Sequence, residues 1–222
     1  MPELPEVETT IRYLRSKVKE KKIIKLFKSD KKLRKNLTNS DLEHINNKKI
    51  IRVKRIAKYI IIELSSKKYL VIHLGMSGRL KLLPRSYKLE KHDHLTLTFK
   101  DFLIVFNDPR RFGMAFLLSN SEEVNQFFSN YGYDLLQDKV PIKKIYENLI
   151  KKHTSMKQVL LDQRYFVGIG NIYANEILFL SRILPTKAVN TITFLEFTHL
   201  VKCIKKILLI AIKKGGSSIN DY

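Results

Sequence analysis

Near the start of the chain the apolar residues return every three or four positions. Val7, Ile11, Leu14 and Val18 share one face, so residues 6 to 20 read as an amphipathic helix. Pro5 falls in its first turn, where a missing N–H costs nothing. The period then shortens. The segments Ile23–Lys28, Ile50–Ile56, Tyr59–Leu64 and Tyr69–Leu74 are dense in β-branched and aromatic residues and read as strands. HLTLTF and FLIVF flank Lys100 and Asp101 as a hairpin, and Met114–Leu118 adds a further strand. Beyond residue 121 helical spacing takes over, in Glu122–Phe128, Ile142–Lys151, Ser155–Leu161, Ile172–Leu180 and Leu195–Lys214. The last of these opens with Thr193 and Glu196 at capping-box spacing and stops at Gly215 and Gly216. The pattern predicts an α+β protein. A β-rich domain with one leading helix, residues 1–130, precedes an all-helical domain, residues 131–222, with the change of pattern falling at 131–140.

Composition narrows the function. The chain has 222 residues, of which 44% are hydrophobic, enough for a packed core. Lysine and arginine number 42 against 21 acidic residues, a formal net charge of +21. Part of that excess reflects biased base composition; the remainder favours an anionic partner, nucleic acid first and an anionic membrane second. The single cysteine, Cys203, excludes an internal disulfide and a cysteine-rich zinc site. No stretch is long and apolar enough to span a bilayer, and the N-terminus lacks the apolar core of a secretory signal. A soluble intracellular protein without internal repeats is the expectation.

The stretch MPELPEVETT carries candidate chemistry. Initiator methionine is generally removed ahead of a small residue such as Pro2. The freed secondary amine would titrate near pH ~7.7–8, against ~10.4 for a lysine side chain, leaving a usable unprotonated fraction at neutral pH. Such an amine attacks an electrophilic sugar carbon and yields an iminium ion, an electron sink. Glu3 beside it is suited to protonate a ring oxygen or shuttle a proton. Glu6 either supports the first helical turn or orients the Pro2 amine. Taken alone, the same residues also read as an ordinary helix start.

The full string resembles the N-terminus of the formamidopyrimidine-DNA glycosylases, bacterial base-excision repair enzymes for oxidised purines. Further strings match in order: AKY at 57–59, HLGMSG at 73–78, KHDH at 91–94, NDPRRFG at 107–113 and GIGNIYANE at 168–176. The resemblance runs the length of the chain. The leucine in MPELPE favours this branch over the related endonuclease VIII branch. It implies an N-terminal β-sandwich with a leading helix, then a helix–two-turn–helix domain. It assigns the nucleophile to Pro2, proton handling to Glu3, and to Lys58 a proton-donor role in β-elimination close to a phosphate.

A glycosylase must extrude its target nucleotide and fill the gap. Met76, between glycines, and Arg110 and Phe112, bracketing Arg111, resemble the family's intercalating trio. Alone, they read first as a buried methionine and a surface arginine. Arg111 is a further DNA-binding candidate. His73 and His92 are expected at the DNA backbone. So is Asn171, since the glycine-lined turn before it feeds a helix N-terminus, a ready anion site. Lys157 matches a family lysine nearby, preceded by Lys152 and His153. No histidine pair has metal-ligand spacing.

The resemblance also shows a departure. The family continues into a C-terminal zinc finger with four cysteines, whereas this sequence reaches GGSSINDY where that segment begins, through either erosion or fragmentation. Cys203 cannot substitute, so no cofactor is expected in this chain. The expected activity is that of a bifunctional DNA glycosylase and abasic-site lyase. It would act as a monomer on damaged double-stranded DNA, without membrane association, in the bacterial cytoplasm at the nucleoid. A non-catalytic DNA-binding descendant and an endonuclease VIII-like specificity for oxidised pyrimidines are the alternatives. A generic RNA-binding scaffold is disfavoured.

Overall fold

A computed structural model describes residues 2–137 and 139–216. Contacts divide the chain into two units, one of residues 1–2 and 7–129, the other of residues 3–6 and 130–222. The division therefore does not follow a single cut near residue 130. The first turn of the leading helix belongs with the second unit, because its backbone and carboxylates bond to residues 168–173.

In the first unit the leading helix α1 spans Leu4–Val18 and buries Val7, Ile11, Leu14 and Val18 as the period requires. One sheet consists of β1 (Lys25–Lys28), β6 (Asp93–Thr98), β7 (Phe102–Asn107) and β5 (Arg79–Pro84), in that order. The other consists of β2 (Ile50–Ile56), β3 (Tyr59–Leu64), β4 (Tyr69–His73) and β8 (Met114–Leu118). All neighbours are antiparallel. Ile60, Ile62, Leu70 and Ile72 of one sheet share a core with Leu95, Leu97, Ile104 and Phe106 of the other, and α1 contributes to it. This is the expected β-sandwich, with hydrophobic burial as its main source of stability.

Two elements of this unit were not foreseen. A helix α2, Asn39–Ile45, begins at a capping box in which Thr38 and Asp41 bond reciprocally. Its aspartate replaces the usual glutamate, so the signal was present but weak. Strand β5 was also missed; Arg79–Pro84 pairs along its whole length with β7. The helix α3, Ser121–Phe127, completes the unit, and Phe127 and Phe128 meet Tyr59 edge-on.

The second unit is helical: α4 (Ile142–Leu149), α5 (Met156–Leu161), α6 (Asn171–Ser181) and α7 (Phe194–Lys213), with a 3-10 turn at Val189–Thr191. Tyr173, Ala174, Ile177 and Leu178 of α6 bury with Phe197, Leu200, Val201 and Ile204 of α7. The capping box of Thr193 and Glu196 forms as the sequence predicts. Lys187 adds an ion pair to Glu196 at 2.6 Å, and its ammonium holds that carboxyl down at about 2. At the far end the Gly215 and Gly216 amides bond back to Ile212 and Ala211, closing a Schellman motif.

Candidate active site

Glu3 immediately precedes α1. Its side chain is buried, and its carboxylate accepts from the backbone N–H groups of Gly170 at 2.6 Å, Ile172 at 2.9 Å and Tyr173 at 3.4 Å. Those N–H groups lie at the positive end of α6, before the first intrahelical acceptor, and the N-cap Gly170 has no side chain to meet them. The cap of α6 thus comes from the far end of the chain. Glu6 completes the arrangement. It accepts the Glu3 N–H at 2.8 Å and the Tyr173 hydroxyl at 2.7 Å. Of its two expected roles, support of the first turn is the one these bonds display.

The glycines of GIGN are explained by this contact. A Cβ on Gly170 would lie 2.5 Å from the Glu3 carboxyl carbon, and one on Gly168 would lie 2.5 Å from Leu4. The sequence reading aimed this helix end at phosphate. In the structure the Gly170, Ile172 and Tyr173 amides are spent on Glu3, and Asn171 between them is exposed. Pro2, the neighbour of this anchored carboxylate, is half-buried.

In the first unit Lys58 lies in the two-residue turn between β2 and β3. Its neighbour Ala57 adopts a left-handed backbone, φ 52°, and Arg55 donates to the Ala57 carbonyl at 3.1 Å. Arg55 is itself buried and paired with Glu8 at 2.9 Å, so the turn is braced from beneath. His73, at the end of β4, packs its ring 4.6 Å from that of Tyr59. Its Nδ1 accepts the Gly75 N–H at 3.1 Å. A backbone N–H can only donate, so Nδ1 carries no proton and the neutral ring presents Nε2–H as a donor. Burial, helped by the positive charges of Lys58 and Arg34, pushes the ring's pKa down to about 4.

His73 lines a cleft of about 650 Å³ together with Gly75, Met76, Arg110, Arg111 and Phe112. Met76, both arginines and Phe112 are exposed, and the Arg110 guanidinium lies 4.9 Å from the Phe112 ring centre. The structure therefore gathers residues from two separate strings into one basic, partly apolar cleft. Lys32 and Arg34 line it as well, and the sequence reading missed them. Their signal was the basic run KSDKKLRK; what it lacked was any indication of which surface that run joins. The Arg34 N–H bonds to the Gly113 carbonyl at 3.0 Å, which docks the run against the NDPRRFG loop.

The remaining candidates lie elsewhere. His92 is half-buried, and its carbonyl accepts the Asp108 N–H at 2.9 Å; it does not line the cleft. His153, Lys157 and Asn171 belong to the second unit. His153 is exposed, and Lys157 sits half-buried on α5.

Two family models account for most of the chain. The formamidopyrimidine-DNA glycosylase N-terminal domain matches residues 1–115, and the formamidopyrimidine-DNA glycosylase H2TH domain matches residues 131–222. The chain belongs to the formamidopyrimidine-DNA glycosylase family. A formamidopyrimidine-DNA glycosylase of Wolbachia sp. subsp. Drosophila simulans is 39% identical over all of this chain and 82% of its own length. One from Rickettsia felis is 37% identical, again over the whole chain and 81% of the relative. Among solved structures, the Lactococcus lactis glycosylase in complex with Fapy-dG-containing DNA superposes with a TM-score of 0.92 at 34% identity, covering 98% of this chain and 82% of that one. The same enzyme bound non-covalently to DNA with an AP site gives 0.91 at 34% identity, covering 97% and 83%. Family membership makes this chain a DNA glycosylase. Among the described residues, no group of three or more His, Cys, Asp or Glu side chains is placed to hold a metal ion. Burial also pushes the Cys203 thiol up, away from the thiolate form a metal would need.

Proposed function

We propose that this glycosylase excises oxidised purines, formamidopyrimidines and 8-oxoguanine, from duplex DNA and then cleaves the abasic site. Once Met1 is removed, the Pro2 nitrogen attacks the anomeric carbon of the extruded nucleotide. The C–N bond to Pro2 forms as the glycosidic bond breaks, and the bond pair leaves with the base. Glu3 moves protons between the amine and the sugar ring oxygen, and ring opening gives an iminium ion. That cation is the electron sink, so the reaction needs no cofactor. Loss of a proton from the adjacent sugar carbon expels the 3′ phosphate, with Lys58 supplying a proton on the elimination path.

One observation carries the proposal. The carboxylate beside Pro2 is buried and fixed by three backbone donors, the fixed orientation that acid–base catalysis requires. The names of the relatives and the damaged DNA in the Lactococcus lactis complexes support the substrate class. The cleft of His73, Met76, Arg110, Arg111 and Phe112 suits helix opening: an apolar side chain and a cation fill the gap while cationic groups meet phosphates. His92, His153, Lys157 and Asn171 are proposed to contact the DNA backbone, with the protein acting as a monomer.

Borohydride should trap a covalent adduct between abasic duplex DNA and protein whose mass shows Met1 removed. Pro2→Gly or an N-terminal tag should abolish the adduct. Equal trapping by tagged protein would overturn the Pro2 assignment, and salt-sensitive binding without any trapping would identify a non-catalytic DNA-binding member.

A further inference from the structure

Beneath the exposed side chains of the cleft lies a buried polar cluster that the chemistry above does not use. Asp108 is fully buried. One carboxylate oxygen accepts the Ser77 hydroxyl at 2.5 Å, and the other accepts the Gly113 N–H at 2.8 Å. Ser77 accepts in turn from the Arg110 N–H at 3.2 Å. The Asp108 carbonyl accepts the Arg111 N–H at 3.2 Å, and His94 Nε2 lies 3.0 Å from the same oxygen. A carbonyl only accepts, so Nε2 carries the proton. Burial holds His94 below its ordinary value, which leaves Nδ1 to accept the Ser29 hydroxyl at 3.1 Å.

Asp108 therefore joins two loops that are distant in sequence. Residues 74–78 present Met76, and residues 108–113 present Arg110 and Phe112. Their backbones also touch. Gly75, at φ +65°, has room for no Cβ, since one would lie 2.5 Å from the Gly113 nitrogen. Arg111, between Arg110 and Phe112, is held in a left-handed conformation, φ 57°. Strain of this kind persists where the surroundings over-determine it.

We propose that Asp108 and Ser77 are positioning residues that lock the Met76 loop and the Arg110–Phe112 loop into one rigid wedge, so that all three side chains enter the helix together when the damaged nucleotide is extruded. This rests on the DNA glycosylase reading. A wedge already fixed in place spends no binding energy on ordering two loops, which favours the opened duplex over the closed one. Neither residue is assigned a contact with the reacting atoms.

The prediction separates helix opening from chemistry. Ser77→Ala and Asp108→Asn, as full chains freed of Met1, are compared with wild type on an abasic site in duplex DNA and on the same strand alone, which needs no opening. Borohydride trapping on the duplex should fall roughly 10- to 100-fold, as for other small misplacements of a binding group. Trapping on the single strand should be unchanged, and Ser77→Thr, which keeps the hydroxyl, should restore the duplex reaction. In parallel, 2-aminopurine beside a tetrahydrofuran abasic analogue in a duplex should brighten with wild type and Ser77→Thr but not with Ser77→Ala. An equal fall on both substrates, or duplex opening undiminished in Ser77→Ala, overturns the proposal. Should Asp108→Asn fail to melt cooperatively, Ser77→Ala decides alone, since it leaves the Asp108–Gly113 bond in place. Because 2-aminopurine reports binding without chemistry, a wild type that brightens the probe yet traps nothing defeats the Pro2 mechanism and leaves the wedge standing.

Discussion

At the scale of the residue, His73 shows how packing sets a protonation state. A free imidazole titrates near 6.5, but this ring is desolvated and lies near Lys58 and Arg34, and it stays neutral to about pH 4. Between those values the unfolded chain binds a proton that the folded chain refuses. Stability from this ring is therefore constant above pH 6.5 and falls as the pH drops towards 4. The full shift corresponds to about 3 kcal/mol at most. His94, also lowered by burial, contributes with the same sign. Urea unfolding of His73→Gln across this range should show a shallower loss of stability with acidification than wild type. An unchanged slope would mean that the folded ring takes up protons freely. The neutral state also fits the proposed role, because it leaves one N–H to donate to phosphate while Nδ1 holds the loop through Gly75.

At the scale of the element, helix α6 is tied at both ends in unusual ways. Its N-terminus is capped by Glu3, 167 positions away in sequence. Its C-cap is Arg182, at φ 57° and ψ 35°, where glycine is the common residue. The left-handed backbone costs a residue with a Cβ about 1–2 kcal/mol, and glycine returns part of that through its own larger loss of freedom. Arg182 is exposed, so little packing is lost on its removal. Arg182→Gly should raise the unfolding free energy by roughly 0.5–1 kcal/mol, read from chemical denaturation. A decrease would show that the arginine side chain makes a stabilising contact of its own. The boundaries of the helices that were foreseen were legible from sequence to within a residue or two, because period and caps are local signals. Strand β5 was not, because RLKLLP gains its strand character from pairing with β7.

At the scale of the whole molecule, the excess of positive charge implies steep salt dependence. Each phosphate neutralised contributes about −0.9 to the slope of log K against log salt on duplex DNA. Lys32 and Arg34 line the cleft although neither belongs to a matched string. If both meet phosphates, replacing them with alanine should reduce the slope by roughly 2 and weaken damaged and undamaged duplexes alike. Binding isotherms over a salt series measure this. An unaltered slope would remove the basic run from the interface.

The helical periods, most of the strands, the apolar faces they bury, the capping box at Thr193 and the family to which the chain belongs were all decided by residues close together in sequence. Such features are written in short strings and periods, so a linear reading recovers them. Which strand pairs with which, why GIGN must be glycine, the proton on His73, and the union of residues 32–34, 73–76 and 110–112 in one cleft were decided by tertiary structure alone. Each depends on desolvation, steric approach or a hydrogen bond between positions far apart, and no local period encodes which distant groups a folded chain brings together.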